Sequence, residues 1–321
     1  MSIRRRRGRR LAFALALVSS IALGAGAEAR AWGGIFTAAS GELVRIDFSD
    51  DYPEDPSLGQ RWANYLAGLL HGRELASLNL NLVTRAQVRR LCGAEAVACY
   101  SPIVRRIVAP AEATAGLSAE AIVAHEHGHH VAQNRENAPW PAVDWGTKRW
   151  ASYLGVCAMA RAGTLFPGDQ YTHYELNPGE GFAEAYRVFN ERRLGSTEGP
   201  WSIVDRIMYP DDKALELLAQ DVREPWSAPT RISFPGSFRK GSGELRSFRV
   251  STPLDGELEL GLRGPAKAAY RLSVLNGNRV VASAPVGRRS LSVTVCGQRT
   301  LSLRVERRQG FGTFQLTASR P

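Results

Sequence analysis

Apolar positions along this chain recur at two different spacings, and the change falls near residue 226. Upstream they stand three and four apart, the period of an amphipathic helix. "SLGQRWANYLAGLL" over 57–70 places Trp62, Tyr65, Leu66, Leu69 and Leu70 on one face, with Ser57 as its cap. The same spacing predicts helices over 118–135, capped by Ser118, and over 148–163 and 178–194. Between the first and second of these the pattern turns β-like, in "LNLNLV" (78–83) and "RRIVAP" (105–110). Downstream the period is two. "ELRSFRV", "GELELGL", "AYRLSVL", "NRVVAS", "SLSVTVC", "TLSLRVE" and "GTFQLTA" are short alternating runs separated by Gly, Asn, Pro or Ser. About seven strands at such spacing predict a small β-sandwich. Pro225, Pro229 and Pro235 mark the boundary, which predicts one domain over 32–225 and a second over 226–321.

Residues 1–29 stand apart from both. A run of arginines, a thirteen-residue apolar stretch and a tail of small residues follow the order of a secretory signal peptide, with cleavage after Ala27, Ala29 or Ala31. The apolar stretch falls short of the roughly twenty residues that span a bilayer, so no stable membrane insertion is expected after its removal. Taking away its six Arg and one Glu lowers the formal charge from +10 to +5, a mild surplus spread along the chain. No block of Lys/Arg is interleaved with aromatics, which argues against nucleic acid as a partner. Four cysteines in an exported chain imply oxidising surroundings. Cys92 and Cys99 are close enough to close a small loop; Cys157 and Cys296 are left to pair with each other or to stay apart. Oligomeric state is not legible.

Four of the six histidines fall within "HEHGHH", at His125, His127, His129 and His130. His125, Glu126 and His129 spell H-E-x-x-H. At i and i+4 on a helix, two imidazoles share a face and can hold one Zn²⁺, with the intervening glutamate placed to act on water beside it. Apolar "AIVA" and "VA" flank the motif, so a solvated polar face does not explain it. His127 and His130 lie off that face and are expected as neighbours of the site or on the surface. A catalytic zinc site needs a third protein ligand and one open position. "NPGEGFAEAYRVF" offers Asn177 as N-cap, Pro178 at the first helical position, and Glu180 and Glu184 one turn apart; His173 is a further candidate. Glu180 could instead complete a capping box, three residues after its cap. Glu184, on an apolar helix, has no such use.

"HEHGH" followed some fifty residues on by "EGFAEAYRVF" resembles the gluzincin metallopeptidases, and the second segment is similar to the glutamate helix of lethal-factor-type peptidases. The resemblance covers about 118–192 and implies an α+β, zincin-like catalytic domain hydrolysing a peptide or protein substrate. It implies His125, His129 and Glu180 as zinc ligands and Glu126 as general base. It further implies that Glu184 orients a ligating imidazole, with Glu184 the alternative third ligand and His173 beside the site. Such enzymes present a Tyr or His to the oxyanion from just before the glutamate helix; Tyr171, His173 and Tyr174 qualify here, and Tyr174 is chosen. A sheet edge that pairs with substrate is expected in "RRIVAP". The C-terminal half resembles, through strand rhythm alone, the bacterial pre-peptidase C-terminal domain, which implies an accessory role. Two other readings compete: a secreted binding protein on a non-catalytic zincin scaffold, and a zinc hydrolase of a non-peptide amide. Glu126 counts against the scaffold, which has no physical need of it.

Overall fold

In the computed structural model, which describes residues 32–321 apart from Ala115 and Gln298, the chain starts with an antiparallel pair, β1 (Trp32–Thr37) and β2 (Leu43–Phe48). The expected export signal lies outside the described residues. Helix α1 (Pro56–Gly68) follows, and Asp55 rather than Ser57 caps it, its carboxylate accepting from Ser57 N at 2.9 Å. Pro56 explains the shift: at the first helical position its missing N–H is no loss and its φ is already helical. Next come β3 (Asn79–Leu82), α2 (Arg85–Cys92), β4 (Cys99–Ser101) and β5 (Arg106–Ala109). The sheet order is β1-β2-β3-β5-β4, with β2, β3 and β5 parallel and the two outer strands antiparallel. This corrects the expected sheet edge. "RRIVAP" supplies the interior strand β5, and the edge on that side is β4, whose three residues are too few to show a period and which is tied to α2 by the Cys92–Cys99 disulfide.

Helix α3 (Ala119–Gln133) carries the histidines and is capped by Ser118, whose hydroxyl accepts from Ala121 N. It is buried on nearly every side. After the short pair β6 (Glu136–Asn137) and β7 (Trp140–Pro141) come α4 (Ala142–Trp145), α5 (Lys148–Leu154) and α6 (Val156–Arg161). The sequence predicts one helix over 148–163; the structure has two, because Gly155 turns left-handed at φ +74° and ends the first. Helix α7 (Pro178–Leu194) runs from the Asn177 cap to a left-handed Gly195, and α8 (Asp212–Arg223) is capped by Asp211. Ile46, Leu80 and Ile107 of the sheet form one core with Trp62 and Leu66 of α1, Val123 of α3 and Tyr186 of α7. Helices α3 and α7 touch at Gly128, where a Cβ would stand 2.8 Å from the Ala183 Cα. That glycine lets the two helices approach closely enough for their polar side chains to meet.

The C-terminal region is all β, with its own core around Phe238, Leu258, Tyr270, Leu303, Phe314 and Leu316. Its strands are β8 (Thr230–Phe238), β9 (Leu245–Thr252), β10 (Gly256–Arg263), β11 (Ala269–Asn276), β12 (Arg279–Ser283), β13 (Ser290–Val295), β14 (Arg299–Gln309) and β15 (Gly312–Arg320). They form two four-stranded antiparallel sheets, β13-β10-β15-β8 and β12-β11-β14-β9. The strand absent from the sequence reading is β8. Pro235 disguised it, and proline is tolerated there because β8 is an edge.

The two regions are joined by the Cys157–Cys296 disulfide and by a bond from Arg161 to the Thr294 carbonyl. Lys148 is buried at the same junction, its ammonium donating to the Ala138 carbonyl at 2.6 Å and lying 4.5 Å from the centre of the Trp226 ring. Burial lowers its pKa from 10.5 to about 8, against the opposing charges of Asp255 and Asp221. Between those two pH values the unfolded chain holds a proton the folded one has released, so this group adds stability as pH rises through the window. Relative to Lys148→Met, the wild type should gain about 3 kcal/mol between pH 8 and 10.5 in urea unfolding. A difference that does not change with pH would show the lysine to be solvated.

Candidate metal centre

His125 and His129 project from one face of α3, as their spacing requires, with ring centres 5.0 Å apart. Helix α7 packs against that face and brings Glu180 to both. One carboxylate oxygen, Oε2, lies 3.2 Å from Nε2 of His125 and 3.2 Å from Nε2 of His129. The three side chains offer ligand atoms within 4.8 Å of one another and are nearly buried, so this group could hold a metal ion. The spacing fits the chemistry: donors placed tetrahedrally about 2.0–2.1 Å from one zinc ion lie roughly 3.3 Å from each other. Two imidazole nitrogens and one carboxylate oxygen are also the donor set that suits zinc.

Glu184, one turn along α7, meets His125 from the other side, its Oε2 3.0 Å from Nδ1. An imidazole that donates from Nδ1 to this carboxylate keeps the Nε2 lone pair free for a cation. Glu184 is held in turn by Arg187, which is fully buried and donates to both its oxygens at 3.0 and 2.7 Å, and to Glu191 at 2.5 Å. Burial opposes charge throughout this cluster, and the pairings overcome it. Bonds from His125 and Arg187 bring Glu184 down to about 2, and the imidazoles of His129 and His125 hold Glu180 well below the usual carboxylate range. The same two carboxylates raise His125 to about 10. Glu126 differs: burial raises its pKa, and the nearby imidazoles only partly offset this.

A loop between α6 and α7 covers the other side of Glu180. The Tyr174 hydroxyl donates to Oε2 at 2.8 Å, and burial together with the charges of Glu180 and Glu126 pushes its pKa far above that of a free phenol. The Gln170 amide donates to Oε1 at 3.0 Å. Asn177 pins the loop, its side-chain oxygen accepting from both Gly179 N and Gly168 N. With Trp145 and Arg161, the loop's Phe166 and Asp169 line a shallow depression open to solvent.

The structure thus gathers His125, Glu126, His129, Tyr174, Glu180 and Glu184 at one place. His173 is engaged elsewhere, bonded through Nδ1 to Asp169 and stacked on Phe166. Tyr171 is 91% exposed. Neither His127 nor His130 reaches the surface. His127 meets the Tyr186 hydroxyl at 3.0 Å, and His130 bridges Tyr100 and the Glu74 carbonyl, so both serve the packing of α3. Sequence reading missed Arg187 and Gln170. Arg187 had a signal, since it stands three residues after Glu184 and four before Glu191 on an apolar helix; Gln170, on a loop, had none.

No family model matches the sequence, and no curated protein matches it. Among solved structures, that of an IMPa metallopeptidase in complex with T-antigen is similar over 64% of this chain, at 9% identity and a TM-score of 0.20; the chain spans 28% of the length of that protein. Among the described residues no helix is long and apolar enough to cross a membrane, and all four cysteines are in disulfides, as suits an oxidising compartment.

Proposed function

We infer that this protein is an exported zinc-dependent peptidase, with residues 32–225 as its catalytic domain and 226–321 as an accessory sandwich. One observation carries the reading: two imidazole nitrogens and one carboxylate oxygen converge on a single point beside Glu126. Zinc held by His125, His129 and Glu180 would supply Lewis acidity, polarising a peptide carbonyl and making water acidic enough to react at neutral pH. The chain's own groups do the rest. Glu126 takes a proton from the attacking water and delivers it to the departing amine, a cycle that suits a carboxyl whose pKa burial has raised. Tyr174 stays protonated at any working pH; its hydroxyl, which rests on Glu180 Oε2, would turn from that carboxylate to donate to the carbonyl oxygen as negative charge builds there. Glu184 keeps His125 in the tautomer that presents Nε2, and Arg187 keeps Glu184 charged. The edge strand β4, half-buried and paired to the sheet on one side alone, offers backbone groups to an extended peptide.

The test is digestion of a mixed peptide library by the mature protein before and after treatment with a chelator. Cleavage should disappear with the metal and return with one equivalent of zinc. Cleavage that survives complete removal of metal would exclude the mechanism.

A further inference from the structure

The charge surplus of this protein is not spread evenly, as a count along the whole chain suggests. Residues 32–225 hold 18 Lys+Arg against 25 Asp+Glu, a formal charge of −7, whereas residues 226–321 hold 16 against 5, or +11. Among the described residues only two of those 16 cations pair with a carboxylate, Arg307 with Glu244 and Arg308 with Glu306. A domain this basic attached to an acidic one attracts anions to one end of the molecule.

Strand register places part of that charge on one surface. In the sheet β12-β11-β14-β9, Leu301, Leu303 and Val305 of β14 face the core, so the residues between them face outward. Arg304 of β14 stands opposite Ser247 of β9 on one side and Ser273 of β11 on the other, and Ser273 stands opposite Ser283 of β12. Arg249 lies two residues along β9 from Ser247, and Arg271 two residues along β11 from Ser273, displaced in opposite directions. Arg249, Arg304 and Arg271 therefore form a diagonal across three strands with steps of about 7–8 Å between backbones. The one acidic residue in this group, Glu306, is already paired with Arg308 at 2.7 Å. Arg304 Nε is a buried donor without a partner among the described residues.

We propose that this outer face binds an acidic polysaccharide. Guanidinium forks match carboxylate and sulfate groups in pairs of parallel hydrogen bonds, and the interleaved serine hydroxyls suit the hydroxyls of a sugar chain. Two other polyanions fit less well. The Arg249–Arg304–Arg271 diagonal and its serines include no aromatic ring on which nucleic-acid bases could stack. The exposed apolar side chain on this face of β9, Leu245, stands alone at the start of the strand and is too little to anchor on a lipid surface. Such binding would hold the catalytic region against an anionic matrix, and it depends on no metal.

The experiment is titration of the full mature chain at physiological salt with heparin, a sulfated polysaccharide, and polygalacturonate, a carboxylated one. Neutral dextran, a single-stranded oligonucleotide and phosphatidylglycerol vesicles serve as comparisons. The expected result is binding to one or both acidic polysaccharides and none to dextran. Arg249→Gln/Arg271→Gln/Arg304→Gln should weaken that binding roughly tenfold, the combined loss of three solvent-screened contacts. Arg231→Gln/Arg239→Gln/Lys240→Gln removes the same charge from another part of the sandwich and should leave affinity within about twofold. Arg249→Glu alone, at an exposed side chain, gives an answer independent of any folding defect in the triple variant. Absence of binding to both acidic polysaccharides, equal losses in the two triple variants, no effect of Arg249→Glu, or tighter binding to oligonucleotide or vesicles would each overturn the proposal.

Discussion

Glu126→Gln should keep its zinc and lose peptide hydrolysis. The substitution preserves shape and leaves all three donors, Nε2 of His125, Nε2 of His129 and Oε2 of Glu180, where they are. It removes the only feature the general base must have, a carboxylate that can accept a proton. A positioned acid–base group contributes roughly 10²–10⁴ in rate, so kcat/KM should fall by about that factor while metal content stays at one ion per chain. Activity in Glu126→Gln within tenfold of wild type, with zinc bound, would assign the proton transfer to another group.

Arg187→Met should produce the largest loss of stability of any single side-chain change at the centre. The guanidinium is completely buried and serves two carboxylates, Glu184 and Glu191. Removing it leaves Glu191 without its countercharge and Glu184 with His125 alone, and breaking a buried pair in this way costs about 3–5 kcal/mol. In a domain of this size that corresponds to a fall in Tm of roughly 10 °C, readable by calorimetry. Arg187→Lys should fall between, since one ammonium cannot span the fork to Glu184 and also reach Glu191. The acid limb of stability changes with it. Glu184 is depressed to about 2 from 4.5, so its contribution is present above 4.5 and is lost as pH falls toward 2. That loss should shrink in Arg187→Met, because part of the depression comes from the missing cation. A variant as stable as wild type would mean that water reaches the pair.

Several features of the centre were legible because they depend only on neighbours in the chain. The i, i+4 relation of His125 and His129 is a property of any helix, and Ser118 and Asn177 marked where the two helices begin. Period-two alternation identified seven of the eight C-terminal strands, since each must present one face to a core and one to water. The eighth was hidden by a proline that only an edge position permits. The single helix expected over 148–163 failed for a related reason, because Gly155 can take either hand and packing chose the left.

Tertiary structure alone decided which distant groups meet. Glu180 stands 55 residues from His125, and either glutamate of the α7 face could in principle have reached the imidazoles. The close crossing of α3 and α7 at Gly128 set Glu180 against the Nε2 atoms and Glu184 against Nδ1. Packing likewise buried His127 and His130, brought Gln170 over Glu180, paired Cys157 with Cys296, and put β4 rather than β5 at the sheet edge. A helix or strand period records which face of a segment is covered and says nothing of what covers it. The sequence by itself therefore determined the pair of imidazoles, the glutamate beside them and the rhythm of the two regions. The third donor and the charges that hold it came from the way separate segments fill one core.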